Sequence, residues 1–259
     1  MPVNPLLDLA ARPIIAHRGA PGSAPENTLP AFRLAVELGA DALEFDVRLT
    51  ADGIPVVLHD ALLDRTTDRR GPLRAITLEQ LHEVDAGARF TADGGRTHPF
   101  RGAGIRLPTL QEVLRAFPEM PCMVEVKEPE AQEAVRQVVI EERAVERCVL
   151  ASEHHEAVRV FREPPFATAA SGAEIGALYR AVLFRRVPQS VPYRCLSVPL
   201  RHRGLPVPTR GFVAAARRLG CPVHVWTINE PATARILWSR GVAGVVTNYP
   251  ALIREARGK

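Results

Sequence analysis

Two imidazoles stand at the ends of apolar runs. His17 follows Pro13-Ile14-Ile15-Ala16 and His59 follows Pro55-Val56-Val57-Leu58, with charged neighbours Arg18 and Asp60. Imidazole gains or loses its proton near neutral pH, so a facing pair can act as general base and general acid. Two further clusters read Glu44-Phe45-Asp46 and Glu125-Val126-Lys127. Alternate residues of a strand share a face, so Glu44 projects with Asp46 and Glu125 with Lys127. Three carboxylates meeting at one place repel one another unless a cation sits among them. Hard oxygen ligands suit Mg2+ or Ca2+ better than zinc. Arg18 and Lys127 add fixed positive charge of the kind that binds a phosphate. One divalent cation, two acid-base groups and two cationic side chains point to phosphoryl transfer. A barrel amide hydrolase with paired metals would want His-x-His on the first strand, where this chain reads His-Arg-Gly. The residues leave open which histidine is the acid and whether the cation is Mg2+ or Ca2+.

These groups share a site only if the elements carrying them end together. Short β-branched runs alternate with helical patterns along the chain. PIIAH (13–17) precedes NTLPAFRLAVELG, and ALEFDV (42–47) and PVVLH (55–59) are followed, after an irregular stretch, by TLQEVLRAF. CMVEVK (122–127), RCVLAS, FATAAS, RCLSVPL, PVHVWTI and AGVVT are each followed by a helical pattern. With ALEFDV and PVVLH taken as one interrupted second strand, eight β-then-α units result. That predicts an α/β fold, a (β/α)8 TIM barrel formed by residues 1–259 as a single domain. A doubly wound open sheet is the alternative, but no glycine-rich fingerprint follows any strand. Residues 60–108, rich in Gly, Arg and turn formers, are too long for a simple βα loop and read as a small insertion subdomain over one rim. A barrel of this kind holds its active site at the carboxyl ends of its strands, where His17, Arg18, Glu44, Asp46, His59, Glu125 and Lys127 fall. Trp226, at the end of the seventh strand, is expected to wall a pocket. His224, on the same face but deeper, is expected in the core. His82, His98 and His202 read as solvated surface, and His154 and His155 as the first turn of a helix.

The net charge is +4, from 33 Lys and Arg against 29 Asp and Glu spread along the chain, which argues against nucleic acid as a partner. No apolar run reaches membrane-spanning length, and MPVNPLLDLAARP has no basic start followed by an apolar stretch. Stable membrane insertion is therefore not expected, and a reducing, cytoplasmic location is the default. Cys122, Cys148, Cys195 and Cys221 are far apart, lack C-x-x-C spacing and lie beside strands, as small buried thiols do.

Taken together, AHRGAPGSAPENTLPAF, ALEFDVRLTADGIPVVLHDALLDRTTD, LPTLQEVL, MVEVK and VHVWTINEPATARILWSRGVAGVVTNYP resemble the glycerophosphodiester phosphodiesterase family along nearly the full length. The resemblance implies a metal-dependent TIM barrel that cleaves glycerophosphodiesters, such as glycerophosphocholine and glycerophosphoethanolamine, to glycerol 3-phosphate and an alcohol. It implies that Glu44, Asp46 and Glu125 hold the divalent cation. His17 and His59 would be the acid-base pair, Arg18 and Lys127 would bind the phosphate, and Trp226 would lie near the glycerol. Glu26 and Asn27 fall in the family's PENT stretch, and Asn27 is expected to cap the following helix and to contact the site. Two regions depart from the pattern: ASEHHEA in place of a Ser-Ser-Phe type sequence, and GVAGVVTNYP, where Ala243 and Asn248 replace frequent acidic residues. A lysophospholipase D keeps this chemistry with a different substrate. A non-catalytic phosphodiester-binding barrel would be expected to have lost one of the histidines or carboxylates. Head group, oligomeric state and the choice between cyclic-phosphate and direct water attack are not set by the sequence.

Overall fold

The computed structural model describes residues 4–258. Its strands are β1 (Ile14–His17), β2 (Ala42–Leu49), β3 (Pro55–Val57), β4 (Cys122–Val126), β5 (Cys148–Ala151), β6 (Ala167–Thr168), β7 (Leu196–Pro199), β8 (Arg201–His202), β9 (Leu205–Pro206), β10 (Val223–Trp226) and β11 (Gly244–Thr247). Eight of them form one parallel sheet in the order β6-β5-β4-β2-β1-β11-β10-β7. The sheet curls until its two edges meet at a single parallel bridge, Ala169 to Cys195, flanked by Ala170 N to Cys195 O and Arg194 N to Thr168 O, both 2.9 Å. This is the (β/α)8 barrel expected from the alternation of elements.

Eight helices accompany the strands: α1 (Leu29–Glu37), α2 (Leu78–Leu81), α3 (Leu110–Ala116), α4 (Gln132–Glu141), α5 (Gly172–Leu183), α6 (Arg210–Arg218), α7 (Pro231–Ser239) and α8 (Pro250–Arg257). Local chemistry sets where they start. Thr109 and Glu112 form a reciprocal capping box on α3, with Glu112 N donating to Thr109 Oγ1 at 3.1 Å and Thr109 N to Glu112 Oε2 at 2.8 Å. On α1 the cap is Thr28, whose hydroxyl accepts from Ala31 N; Asn27 does not take that role. Asn27 instead adopts φ +58°, a left-handed conformation that asparagine tolerates better than most residues.

The strand faces divide by period two. Phe45, Val47, Val124 and Val126 point outward and pack with Phe32, Ala35 and Val113 from the surrounding helices. Ile15, Ala42, Met123, Val149 and Val246 fill the interior, together with Leu6 from the chain's beginning. Glu44, Asp46 and Glu125 share that inward face one layer higher, in register with His17 and with one another: His17 pairs with Glu44, and Asp46 with Glu125.

Two expectations need correction. PVVLH does not continue β2; β3 runs antiparallel to it, with Val47 opposite Val57 and Leu49 opposite Pro55. The reversal is made by Thr50–Ile54, closed by Thr50 N to Ile54 O at 3.1 Å, with Gly53 at φ +77°. The chain therefore returns to the level of Asp46, whose carbonyl accepts from Leu58 N at 3.0 Å. The helical pattern at EHHEAVRVFRE forms a 3-10 turn, His155–Phe161, that stops short of Pro164 and Pro165. Proline cannot donate to a helical ladder, so little chain is left for an α-helix.

The segment 60–108 contains a 3-10 turn at Leu73–Ala75 and the short α2. Leu63, Leu73, Ile76, Leu81 and Val84 gather with Val56 and Leu58 into an apolar cluster of their own. All four cysteines are free and buried.

Candidate active site

The three carboxylates expected to meet do so: one oxygen from each of Glu44, Asp46 and Glu125 lies within 4.8 Å of the others. β2 and β4 run side by side, and the residues lie on alternate inward positions. Glu44 and Asp46 are buried. Asp46 Oδ2 accepts from Asn27 Nδ2 at 3.1 Å and lies 3.1 Å from Arg18 Nε. Asp46 Oδ1 has no hydrogen-bond partner and sits 3.5 Å from Lys127 Nζ, which bonds Glu125 Oε1 at 2.8 Å.

Burial, then Asp46 and Glu125, push the Glu44 carboxyl well above its ordinary range. Burial and Asp46 likewise raise Glu125. For Arg18 burial opposes the charge, but Asp46, Glu26 and Glu44 outweigh it and raise the guanidinium's pKa. Lys127 follows the same logic, with Glu125 and Asp46 prevailing over burial. Two cations at the margin do not satisfy three crowded carboxylates. The donor set, all hard oxygens with one buried oxygen lacking a partner, fits a divalent cation.

The two imidazoles line one cavity of about 850 Å³, together with Arg18, Glu44, Glu125, Lys127 and Trp226. Their partners differ. His17 Nδ1 lies 2.7 Å from Asn248 Oδ1. An amide oxygen only accepts, so Nδ1 carries the proton and Nε2 is left for chemistry. Burial and then Arg18 hold the His17 pKa below its usual 6.5. His59 Nδ1 lies 2.5 Å from Asp60 Oδ1. Burial works against the Asp60 charge, but Arg65 and His59 hold it down at about 2.

A chain of ion pairs joins the two ends of the site. Arg65 Nε meets Asp60 Oδ2 at 2.5 Å, and its two terminal nitrogens grip Glu26 at 2.8 Å each. Glu26 Oε1 then lies 3.0 Å from Arg18 Nη1, and Arg18 reaches Asp46. Sequence reasoning gave no role to Asn248, Asp60 or Arg65. Asn248 and Asp60 each follow a strand end, so the rule that found the histidines extends to them. Arg65 comes from the inserted segment and carries no such signal.

Trp226 walls the cavity and packs against the interior cluster. His224 is fully buried, with Nε2 2.9 Å from Leu6 O, in the core as expected. A feature the sequence reading missed is the β8–β9 hairpin, turned by Arg203 at φ +49° and Gly204 at φ +82°. It brings His202, expected as plain surface, and Leu205 to the cavity wall.

A family model described as the glycerophosphoryl diester phosphodiesterase family matches residues 17–252. A glycerophosphodiester phosphodiesterase of Caldanaerobacter subterraneus is 31% identical over 92% of this chain and 94% of that protein. Among solved structures, a phosphodiesterase of Oleispira antarctica, in complex with the product sn-glycerol-3-phosphate, superposes with TM-score 0.76 at 26% identity, covering 96% of this chain and 98% of that one. A glycerophosphoryl diester phosphodiesterase domain from Mycobacterium tuberculosis shares the fold with TM-score 0.86 at 24% identity, over 95% of this chain and 99% of that domain.

Proposed function

The chain belongs to the glycerophosphoryl diester phosphodiesterase family, and from that premise we propose that it hydrolyses glycerophosphodiesters, glycerophosphocholine and glycerophosphoethanolamine among them, to glycerol 3-phosphate and the free alcohol. Glu44, Asp46 and Glu125 would hold one divalent cation, Mg2+ or Ca2+, which when bound supplies Lewis-acid charge to the phosphate oxygens. Arg18 and Lys127 bind the same oxygens and offset the negative charge that grows there in the transition state. His17 has a free Nε2 and a proton at Nδ1 fixed by Asn248. It is the general base that takes a proton from the nucleophile. His59 is the general acid, and the ionised Asp60 beside it steadies the ring while it carries the proton destined for the departing alkoxide. The nucleophile is the substrate's own glycerol hydroxyl, giving a cyclic phosphate that water opens, or water itself; isolating the cyclic ester separates the two. Asn27 positions Asp46, and Trp226 packs against the glycerol. Residues 60–108 form a subdomain inserted in one domain that spans 1–259. The products return glycerol and phosphate to glycerol and lipid metabolism.

The observation that carries this reading is the meeting of three buried or half-buried carboxylates beside two differently partnered imidazoles. A coupled assay for glycerol 3-phosphate release from both substrates tests it. Excess EDTA should abolish release and either Mg2+ or Ca2+ should restore it. His17→Ala or His59→Ala should lower kcat by ~10²-fold or more. Undiminished turnover in chelator, or in either variant, rejects the assignment.

A further inference from the structure

We propose that one flank of the barrel, formed by α5, α6 and the β8–β9 hairpin, docks the protein on an anionic lipid surface. Its arginines meet the negative head groups, and Leu183 and Phe184 enter the interface between them. The inference is independent of the phosphodiesterase reading and concerns the outer face of the barrel rather than its reaction cavity.

Charge distribution is the first ground. Residues 175–229 contain nine arginines and no Asp, Glu or Lys. The rest of the chain then has 24 Lys and Arg against 29 Asp and Glu, so +9 on this segment stands against −5 elsewhere. All nine arginines are exposed. Among the described residues no carboxylate pairs with any of them, whereas Arg18, Arg65, Arg115 and Arg162 each have one. A cluster of unpaired like charges on one side of a molecule creates a field that draws an anionic partner.

The fold gathers these charges on one flank. α5 and α6 lie side by side, with the rings of Tyr179 and Phe212 6.1 Å apart and Val182 3.4 Å from where a Cβ on Gly211 would stand. Each helix turns one face inward, Leu178 on α5 and Phe212, Val213 and Ala216 on α6. Ala173, Ala177, Arg180 and Phe184 are left outward on the first, at three- and four-residue spacing. Arg210, Ala214, Arg217 and Arg218 are left outward on the second. Tyr179 Oη donates to Pro206 O at 3.3 Å and holds the hairpin, with Arg201 and Arg203, against the same helix.

The second ground is what lies between the charges. Leu183 is 65% and Phe184 72% exposed, directly before Arg185 and Arg186, and Leu205, two residues after Arg203, is 61% exposed. Apolar side chains among unpaired cations suit a bilayer interface, where head groups meet the charge and the acyl boundary receives the hydrocarbon. A nucleic acid would use the arginines alone. Single strands stack their bases on aromatic rings, and Phe184 is the one exposed aromatic residue of this segment. No helix among the described residues is long and apolar enough to cross a membrane, so the contact is adsorption at the surface.

Co-sedimentation with vesicles tests the docking face. Wild type should pellet with vesicles of equal parts phosphatidylcholine and phosphatidylserine and stay in solution with phosphatidylcholine alone. Binding should weaken as salt rises from about 0.1 M to about 0.5 M. The triple variant Arg186→Glu, Arg194→Glu, Arg210→Glu should lose ~10²-fold or more in partitioning. Phe184→Ser should lose ~5-fold or more. Both variants should keep the wild-type circular dichroism and, without vesicles, the wild-type turnover of glycerophosphocholine. Wild type that ignores anionic vesicles, or binds both compositions equally, overturns the proposal whatever the variants do. So does binding unmoved by the charge reversal. Binding that needs the arginines but not Phe184 overturns the apolar part of the contact, and equal affinity for a random-sequence single-stranded RNA overturns the lipid in favour of a nucleic acid. Absence of turnover in wild type, with salt-sensitive binding to anionic vesicles, overturns the phosphodiesterase reading and supports the docking face.

Discussion

His17 and His59 are chemically identical rings that differ in one partner each, an amide oxygen at Nδ1 of the first and a carboxylate oxygen at Nδ1 of the second, and the proposed division of tasks follows that difference. The amide oxygen fixes a tautomer without adding charge. Burial and Arg18 depress the His17 pKa below 6.5, so in the proposed role of base it would stay neutral, and active, to a lower pH than free imidazole. The acid limb of kcat/KM should therefore lie below about pH 6.5. Asn248→Asp keeps the acceptor and adds an opposite charge, which favours the imidazolium. The limb should move upward by ~1 unit or more in a kcat/KM profile taken from about pH 5 to 8. A limb that stays put or moves down would show that Asn248 does not govern the base. At this scale the sequence is most informative where chemistry and strand period coincide. Glu44, Asp46 and Glu125 follow the alternation of a strand, and both histidines end apolar runs. The residues that distinguish the histidines do not announce themselves. Asp60 is adjacent to its partner, but Asn248 meets His17 only because β11 closes the sheet against β1.

Among the elements, the loop from β1 to α1 does the most positioning. Arg18, Gly19 and Asn27 all adopt positive φ, and Arg18 N donates to Glu44 O at 2.8 Å while Asn27 N donates to Arg18 O at 3.0 Å. The loop is thus folded onto β2 and back onto itself, which aims the Arg18 guanidinium and the Asn27 amide at Asp46. Gly19 has φ +90°, and a Cβ there would lie 2.7 Å from the carbonyl carbon of Ala31 and 2.8 Å from its Cβ. Backbone strain and collision act together, so Gly19→Ala should cost ~3 kcal/mol in urea unfolding and lower activity even where the variant is fully folded. A loss under ~1 kcal/mol would mean the loop relaxes without difficulty. Helix existence was legible from hydrophobic period, but the cap of α1 was not: Thr28 takes it, one residue beyond the expected Asn27. Nor was the direction of β3. A short apolar run has no polarity of its own, and only the reach of the Thr50–Ile54 turn decides whether it goes on or comes back. The β8–β9 hairpin escaped for a similar reason: each strand has two residues, too few to show alternation.

Over the whole molecule, the barrel is packed at its lower end by Leu6, whose carbonyl meets the fully buried His224. Nε2 donates there, and Nδ1 has no partner. Burial lowers the His224 pKa to about 4. A histidine depressed in the folded state contributes stability that is present above its unfolded pKa of about 6.5 and is lost as pH falls toward 4. The loss amounts to ~3 kcal/mol in order of magnitude. Urea midpoints measured at pH 7 and near pH 4 should fall steeply for wild type and less steeply for His224→Gln, which retains a donor. Parallel loss in the two proteins would place the acid sensitivity elsewhere. Fold class was readable from the count of β-then-α units, and the residues between 4 and 258 include no helix long and apolar enough to cross a membrane. Closure of the ring followed from that count alone, whereas the contact that makes it, one bridge beside the two-residue β6, carries no signal of its own.

The return of β3 along β2 has one more consequence. Two of the three carboxylates and one imidazole ride on a single hairpin, so a one-residue slip of β3 along β2 would carry His59 away from an acidic pair whose inward face is held by β1 and β4. The distance from His59 to the proposed cation ligands is thus set by the length of one turn, Thr50–Ile54.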